Sequence, residues 1–203
     1  MLKRFASEAL GLSDIGKIIS PQDYDKVDAD DYIFHEDNEK IFFLIKSKKD
    51  EYCFTNRALL HVDGESAISS KRTLKRYEYA FNRISHVLLE TAGTVDLDAE
   101  IKFVIGSDSF SIDVDKNQIE PLKDLYKALF EISRIQRLNA DKLEDATNSL
   151  SIAASALGRA STGGTAGDAF EQITQFAFQY MGVAKDNFVQ EDFASVFSKY
   201  INN

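Results

Sequence analysis

From Lys40 the chain alternates short apolar runs rich in β-branched and aromatic residues with turn signals about every ten residues, which predicts an antiparallel β domain. Seven strands are expected: Lys40–Lys46, Glu51–Phe54, Arg57–Asp63, Arg72–Tyr79, Ile84–Thr91, Leu97–Ile105 and Ser109–Val114. The segments between them supply Gly, Asn, Asp or Ser for chain reversal. The stretch "ETAGTVDLDAE" (Glu90 to Glu100) shows the logic. After a turn at Gly93, Leu97, Ala99, Ile101, Phe103 and Ile105 share one strand face, and Asp96, Asp98, Glu100 and Lys102 share the other. Its carboxylates are therefore expected on a wet face, not in a catalytic cleft.

The period then changes to that of helices. In "NQIEPLKDLYKALFEISRIQ", Ile119, Leu122, Leu125, Tyr126, Leu129, Ile132 and Gln136 fall on helical spacing, with Asn117 as the expected cap. A second stripe, Leu143, Ala146, Leu150, Ala153, Ala154 and Leu157, ends at "GRASTGGTAG" (Gly158 to Gly167). A third runs through Phe170, Ile173, Ala177, Tyr180, Met181 and Ala184. A last helix, capped by Asp186, is expected to carry Val189, Phe193, Val196, Phe197, Tyr200 and Ile201. One isolated hairpin cannot bury all of these stripes. They require the β domain or another subunit. Before Lys40, the spacing of Leu2, Phe5, Leu10, Ile15, Ile18 and Ile19 suggests one or two short helices, and "DYDKVDADDY" has no clear period.

With 203 residues, 44% of them hydrophobic and 11% aromatic, the chain has enough apolar material for a real core. Its net charge of -9 opposes general binding to nucleic acid or anionic lipid. The one cysteine, Cys53, lies in an alternating run and fits a buried thiol in a reducing compartment. Met1-Leu2-Lys3-Arg4 starts like a signal peptide, but the charged residues that follow interrupt it, and no run approaches the roughly 18 apolar residues of a membrane span. A cytoplasmic protein is the expectation.

The chemical motifs are weak. "GRASTGGT" has Gly158, Gly163 and Thr165 where a phosphate-cradling loop needs them, but Gly164 replaces the lysine and a helix, not a strand, precedes it. "DVDKNQIEPLKD" puts Asp113, Asp115, Asn117 and Asp124 at calcium-ligand positions, yet Gln118 replaces the required glycine. His61 and Asp63 share a strand face without an evident third metal ligand. Catalysis by these groups or by the acidic segment would require a closed pocket around them. No catalytic, metal or cofactor-binding residues, and no cofactor, are expected. The exception to this blandness is positive charge: Lys46, Lys48 and Lys49 crowd the first hairpin, and Lys71, Arg72, Lys75 and Arg76 lie on or beside the fourth strand. They form a candidate patch for phosphate or lipid headgroups, against the plainer reading of solvated turns and a charge-protected edge strand.

"CFTNRALLHVDG", "KRTLKRYEY" and above all "ETAGTVDLDAEIKF" resemble the bacterial pleckstrin-homology (PH) domain family, and the upstream segment and helical tail resemble its YvbH-like branch. The resemblance implies a mainly β plus α fold: a PH-like seven-stranded, partly open barrel of two crossed antiparallel sheets, capped by a C-terminal helix and followed by a helical hairpin. It implies an N-terminal segment at 1–38, a PH-like domain at 39–137 and a helical extension at 138–203. It also implies a non-enzymatic interaction module, a cyclic homo-oligomer that meets other proteins at strand edges. Peripheral membrane contact through the basic stretches is the lesser alternative, and the net charge of -9 leaves no nucleic-acid partner expected. Two departures matter. Thr55 stands where the inositol-phosphate signature of eukaryotic relatives has a basic residue two positions before the arginine matched here by Arg57, and the chain has no Trp for the closing helix. Phosphoinositide binding is accordingly not implied.

Overall fold

The computed structural model describes residues 14–64, 72–91, 98–160 and 166–201. Eight strands form two antiparallel sheets. The first, in order β1 to β5, contains Lys17–Ile18, Ile41–Lys46, Glu51–Thr55, Ala58–Gly64 and Arg72–Glu78; the second contains β6 (Ile84–Glu90), β7 (Asp98–Ile105) and β8 (Asp108–Asp115). The seven expected strands are all present, with no end displaced by more than one residue. The alternation in β7 is complete: Ala99, Ile101, Phe103 and Ile105 are buried, while Asp98, Glu100 and Lys102 are partly exposed.

The N-terminal segment departs from expectation. Residues 17–18 form a strand, and the acidic stretch forms three 3-10 turns, Pro21–Lys26, Asp28–Tyr32 and His35–Asp37. Such short turns have no helical stripe to display, so periodicity missed them. Ile19, Val27, Ala29 and Ile33 from this segment seal a core against Leu44, Cys53, Ala58, Leu60 and Val62 of the first sheet. Buried Glu51 of β3 pins the segment by accepting hydrogen bonds from Asp28 N (3.2 Å) and Ala29 N (2.8 Å).

Gly16 ties the two sheets together: its N–H donates to Asp113 O at 2.8 Å, and Asp115 N donates to Gly16 O at 3.0 Å. A Cβ at Gly16 would lie 2.7 Å from an Ile45 methyl and 2.8 Å from Asp113 O, so this approach needs glycine. β5 and β6 are the opposite sheet edges, and they are not hydrogen-bonded to each other. The result is a partly open barrel, not a closed one.

Helix α1, Ile119–Ala160, begins as the plug, with Leu122, Leu125, Ala128, Leu129 and Ile132 fully buried. A 3-10 turn, Lys116–Gln118, leads into it and contains Asn117, the expected cap; the turn is capped by Asp115, whose carboxylate accepts the Asn117 N–H at 2.9 Å. The two helices expected between Ile119 and Leu157 are one helix of 42 residues, since neither Gly nor Pro occurs between Pro121 and Gly158. Helix α2 spans Ala166–Phe188 and contains Asp186, the expected cap of the last helix. That helix, α3, spans Ala194–Tyr200, where Asp192 accepts the Ala194 N–H at 2.7 Å.

The chain divides into two compact units: one reaches Ser133 and resumes at Glu191, and the other is Arg134–Gln190. In the first, Phe193, just before α3, and Phe197 of α3 enter the core, with Phe197 stacked on Phe42 at 5.4 Å and Phe193 edge-on to Tyr79 at 5.8 Å. Several expected features lie outside the described residues: the spacing from Leu2 to Leu10, Lys71, the turn at Gly93 with Asp96 and Leu97, and Gly163 to Thr165.

Candidate interaction surfaces

The candidate cations separate into two groups. Lys46 is bonded to buried Glu51, Arg72 Nε lies 3.5 Å from Asp28, and Lys75 lies 3.3 Å from Asp108, which also accepts the Tyr77 hydroxyl. Arg76 makes two hydrogen bonds to the fully buried Glu39 carboxylate, at 3.0 and 3.2 Å, and a third to Glu78 at 3.3 Å. Lys48 and Lys49 are exposed at the tip of the β2–β3 hairpin and make no ion pair with a described residue. Spacing showed a cluster of like charge; folding supplies carboxylates from distant positions and neutralises most of it.

The Glu39 pair is a structural lock. Burial alone would raise the carboxyl pKa, but hydrogen bonds from the Thr55 hydroxyl (2.6 Å), Phe34 N (3.0 Å) and Arg76 outweigh it and hold Glu39 below its usual value. Thr55 also accepts the Arg57 and Ala58 N–H groups at 3.0 and 2.8 Å. A basic side chain has no place at this fully buried position.

The other chemical candidates do not converge on one pocket. His61 stacks on Tyr52 at 4.6 Å, with Nε2 3.4 Å from Asp50, while Asp63 is exposed. Burial raises the Cys53 thiol well above its usual value, which fits an inert core residue. Glu100 accepts from Ser111 and Lys102 on the open face of the second sheet; Asp113 there is raised by partial burial and by the nearby Glu100 and Asp98 charges. Among the described residues no three His, Cys, Asp or Glu side chains are placed to hold a metal ion, and no helix is long and apolar enough to cross a membrane.

Two kinds of unsatisfied surface remain. One is the pair of sheet edges, β5 and β6. On β6 a bulge between Ser85 and Leu88 puts His86 at φ 53° and shifts the register, which limits the length of regular edge open to pairing. The other is the helical unit, where Ala146 and Ala184 are the only buried apolar side chains among the described residues. Phe178 is 83% exposed, and Ile152, Phe170, Phe176 and Val183 are also open. Leu150, Ala153, Ala154, Ile173, Phe176 and Ala177 line an apolar groove of about 600 Å³ between α1 and α2. Periodicity marked these stripes correctly, although exposure of Phe178 required coordinates.

A barrel of this topology, plugged by one helix, defines a PH-like domain. Residues 9–133 match the bacterial PH domain family, and residues 144–203 match the YvbH-like oligomerisation region. The chain belongs to the bacterial PH domain family. It is 56% identical, over the full length of both chains, to the uncharacterised protein YvbH of Bacillus subtilis. It is also similar to a solved PH-domain protein from Exiguobacterium sibiricum, at 52% identity and a TM-score of 0.85, covering 93% of this chain and all of the other.

Proposed function

We propose that the protein is a non-enzymatic cytoplasmic interaction module that assembles through its helical extension and sheet edges into a cyclic homo-oligomer. The observation that carries this reading is the exposed apolar surface of the hairpin, which coincides with the segment matching an oligomerisation region. The β5 and β6 edges lie on different sheets, so copies joined edge to edge repeat one heterologous contact, and such a repeat closes into a ring when its rotation divides a full turn. Light scattering on the full chain is expected to give one discrete mass several times 22.8 kDa, unchanged on dilution. A monomer rejects the proposal; a concentration-dependent ladder of masses rejects closure. An anionic lipid or phosphate ligand bound at the basic patch is the alternative, with Lys48 and Lys49 as its cations without an ion pair among the described residues. Vesicles rich in phosphatidylglycerol that bind the wild type but not the Lys48→Glu, Lys49→Glu variant would favour it.

A further inference from the structure

We propose that the cleft at the β3–β4 turn is a second docking site, which takes a segment of a different protein presenting a carboxylate beside an apolar side chain. Arg57 is the centre of the argument. Its Nε is buried and has no hydrogen-bond partner, and its guanidinium forms no ion pair among the described residues. A desolvated, unpaired guanidinium donor is costly to maintain, and a carboxylate is the acceptor that matches its forked geometry. The neighbouring Arg76 is already committed to Glu39 and Glu78, and it lies over the Phe34 ring at 4.7 Å.

The cleft has a volume of about 250 Å³, just below the usual range for a small-molecule pocket and suited to one inserted side chain or chain terminus. Phe34 and Phe81 form its apolar rim, and Phe81 is 76% exposed. Arginine and aromatic side chains around a recess are the residue types that dominate binding energy in protein interfaces. Asp37, Glu78, Ala80 and Glu191 complete the lining, and the three carboxylates are its acidic part. Their charge opposes a phosphate dianion but is compatible with a single carboxylate whose flanking peptide N–H groups or basic side chain face them.

The turn is held before any partner arrives. Tyr79 N donates to Arg57 O at 2.9 Å, Phe193 N donates to Asn56 O at 2.8 Å, and the Asn56 amide donates to Asp192 at 2.6 Å. Three distant segments of the chain thus fix one small site, which lowers the ordering cost of binding.

Three probes test this by saturation-transfer NMR on the intact assembly: N-acetyl-leucine, which has a carboxylate beside an apolar side chain, its neutral amide, and inorganic phosphate. The acid is expected to bind saturably and roughly tenfold or more tightly than the amide, the share of a charge-assisted hydrogen bond. Phosphate should not displace it. Arg57→Gln should abolish the preference for acid over amide with the melting temperature and assembly mass unchanged, and Phe81→Ala should weaken the acid several-fold. No saturable binding by the acid, equal binding of acid and amide, displacement by phosphate, or retained acid preference in Arg57→Gln would each overturn the proposal. A change in assembly mass on Arg57→Gln would assign the cleft to a neighbouring copy, and so overturn it as well.

Discussion

The sheet unit and the helical unit use similar apolar residues to opposite ends. In the sheet unit Phe54, Phe103, Phe193 and Phe197 are all buried, and each belongs to a network of ring contacts. In the helical unit Phe170, Phe176 and Phe178 stand open to solvent. Two helices side by side enclose only a seam, whereas two sheets with a plug and a covering segment enclose a volume. These four phenylalanines of the first unit therefore stabilise the fold of one chain, and the three of the second are available to join chains.

Paired substitutions give this contrast its hardest test. Phe54→Ala empties a fully buried position and should cost about 3–5 kcal/mol in urea unfolding. Phe178→Ser should change the unfolding free energy of a single chain by less than about 0.5 kcal/mol, as is usual for an exposed site. Its effect should appear in light scattering as a smaller assembly. If Phe178→Ser unfolds the protein as Phe54→Ala does and leaves the mass unchanged, the helical unit is a conventional core and the comparison fails.

The next largest effect belongs to polar groups in the sheet unit. Glu39→Ala leaves partly buried Arg76 with only the more exposed Glu78 as a partner and should destabilise by about 3 kcal/mol. The pH dependence follows from the lowered Glu39 pKa. A carboxyl whose folded value lies below its unfolded value, near 4.3, contributes stability that is complete above the unfolded value and is lost as pH falls through the folded one. Urea midpoints at pH 7 and pH 3 should differ more for the wild type than for Glu39→Gln. Equal differences would show that the pair does not stabilise the ionised form.

These two residues also mark how far the sequence could be read. Strand faces were legible because a period of two survives in β7 and because Gly, Asn and Asp punctuate the reversals. The seal over the outer face of the first sheet was not, since it consists of 3-10 turns and a two-residue strand, too short for any period. Arg76 was visible as a charge beside other charges, but its partner Glu39 lies 37 positions away, outside any strand. Spacing along a chain records local geometry and cannot show which distant carboxylate meets which cation. The Arg57 cleft stayed hidden for the same reason, being built from four separate segments.

The smallest effect examines the open face of the second sheet, where the acidic stretch lies. Partial burial and the Glu100 and Asp98 charges raise the Asp113 pKa, so its ionised form is mildly disfavoured in the folded chain. The sign is opposite to that of Glu39: protonation favours folding, and the unfavourable contribution is complete only once pH has risen past the folded value. Asp113→Asn should therefore stabilise the protein slightly at pH 7, by no more than about 0.5 kcal/mol given solvent screening of an exposed face. The gain should shrink as pH falls and Asp113 takes up its proton, and also in high salt. A loss of stability at pH 7 would mean that Asp113 accepts a favourable interaction, and that this face is more than a solvated row of charge.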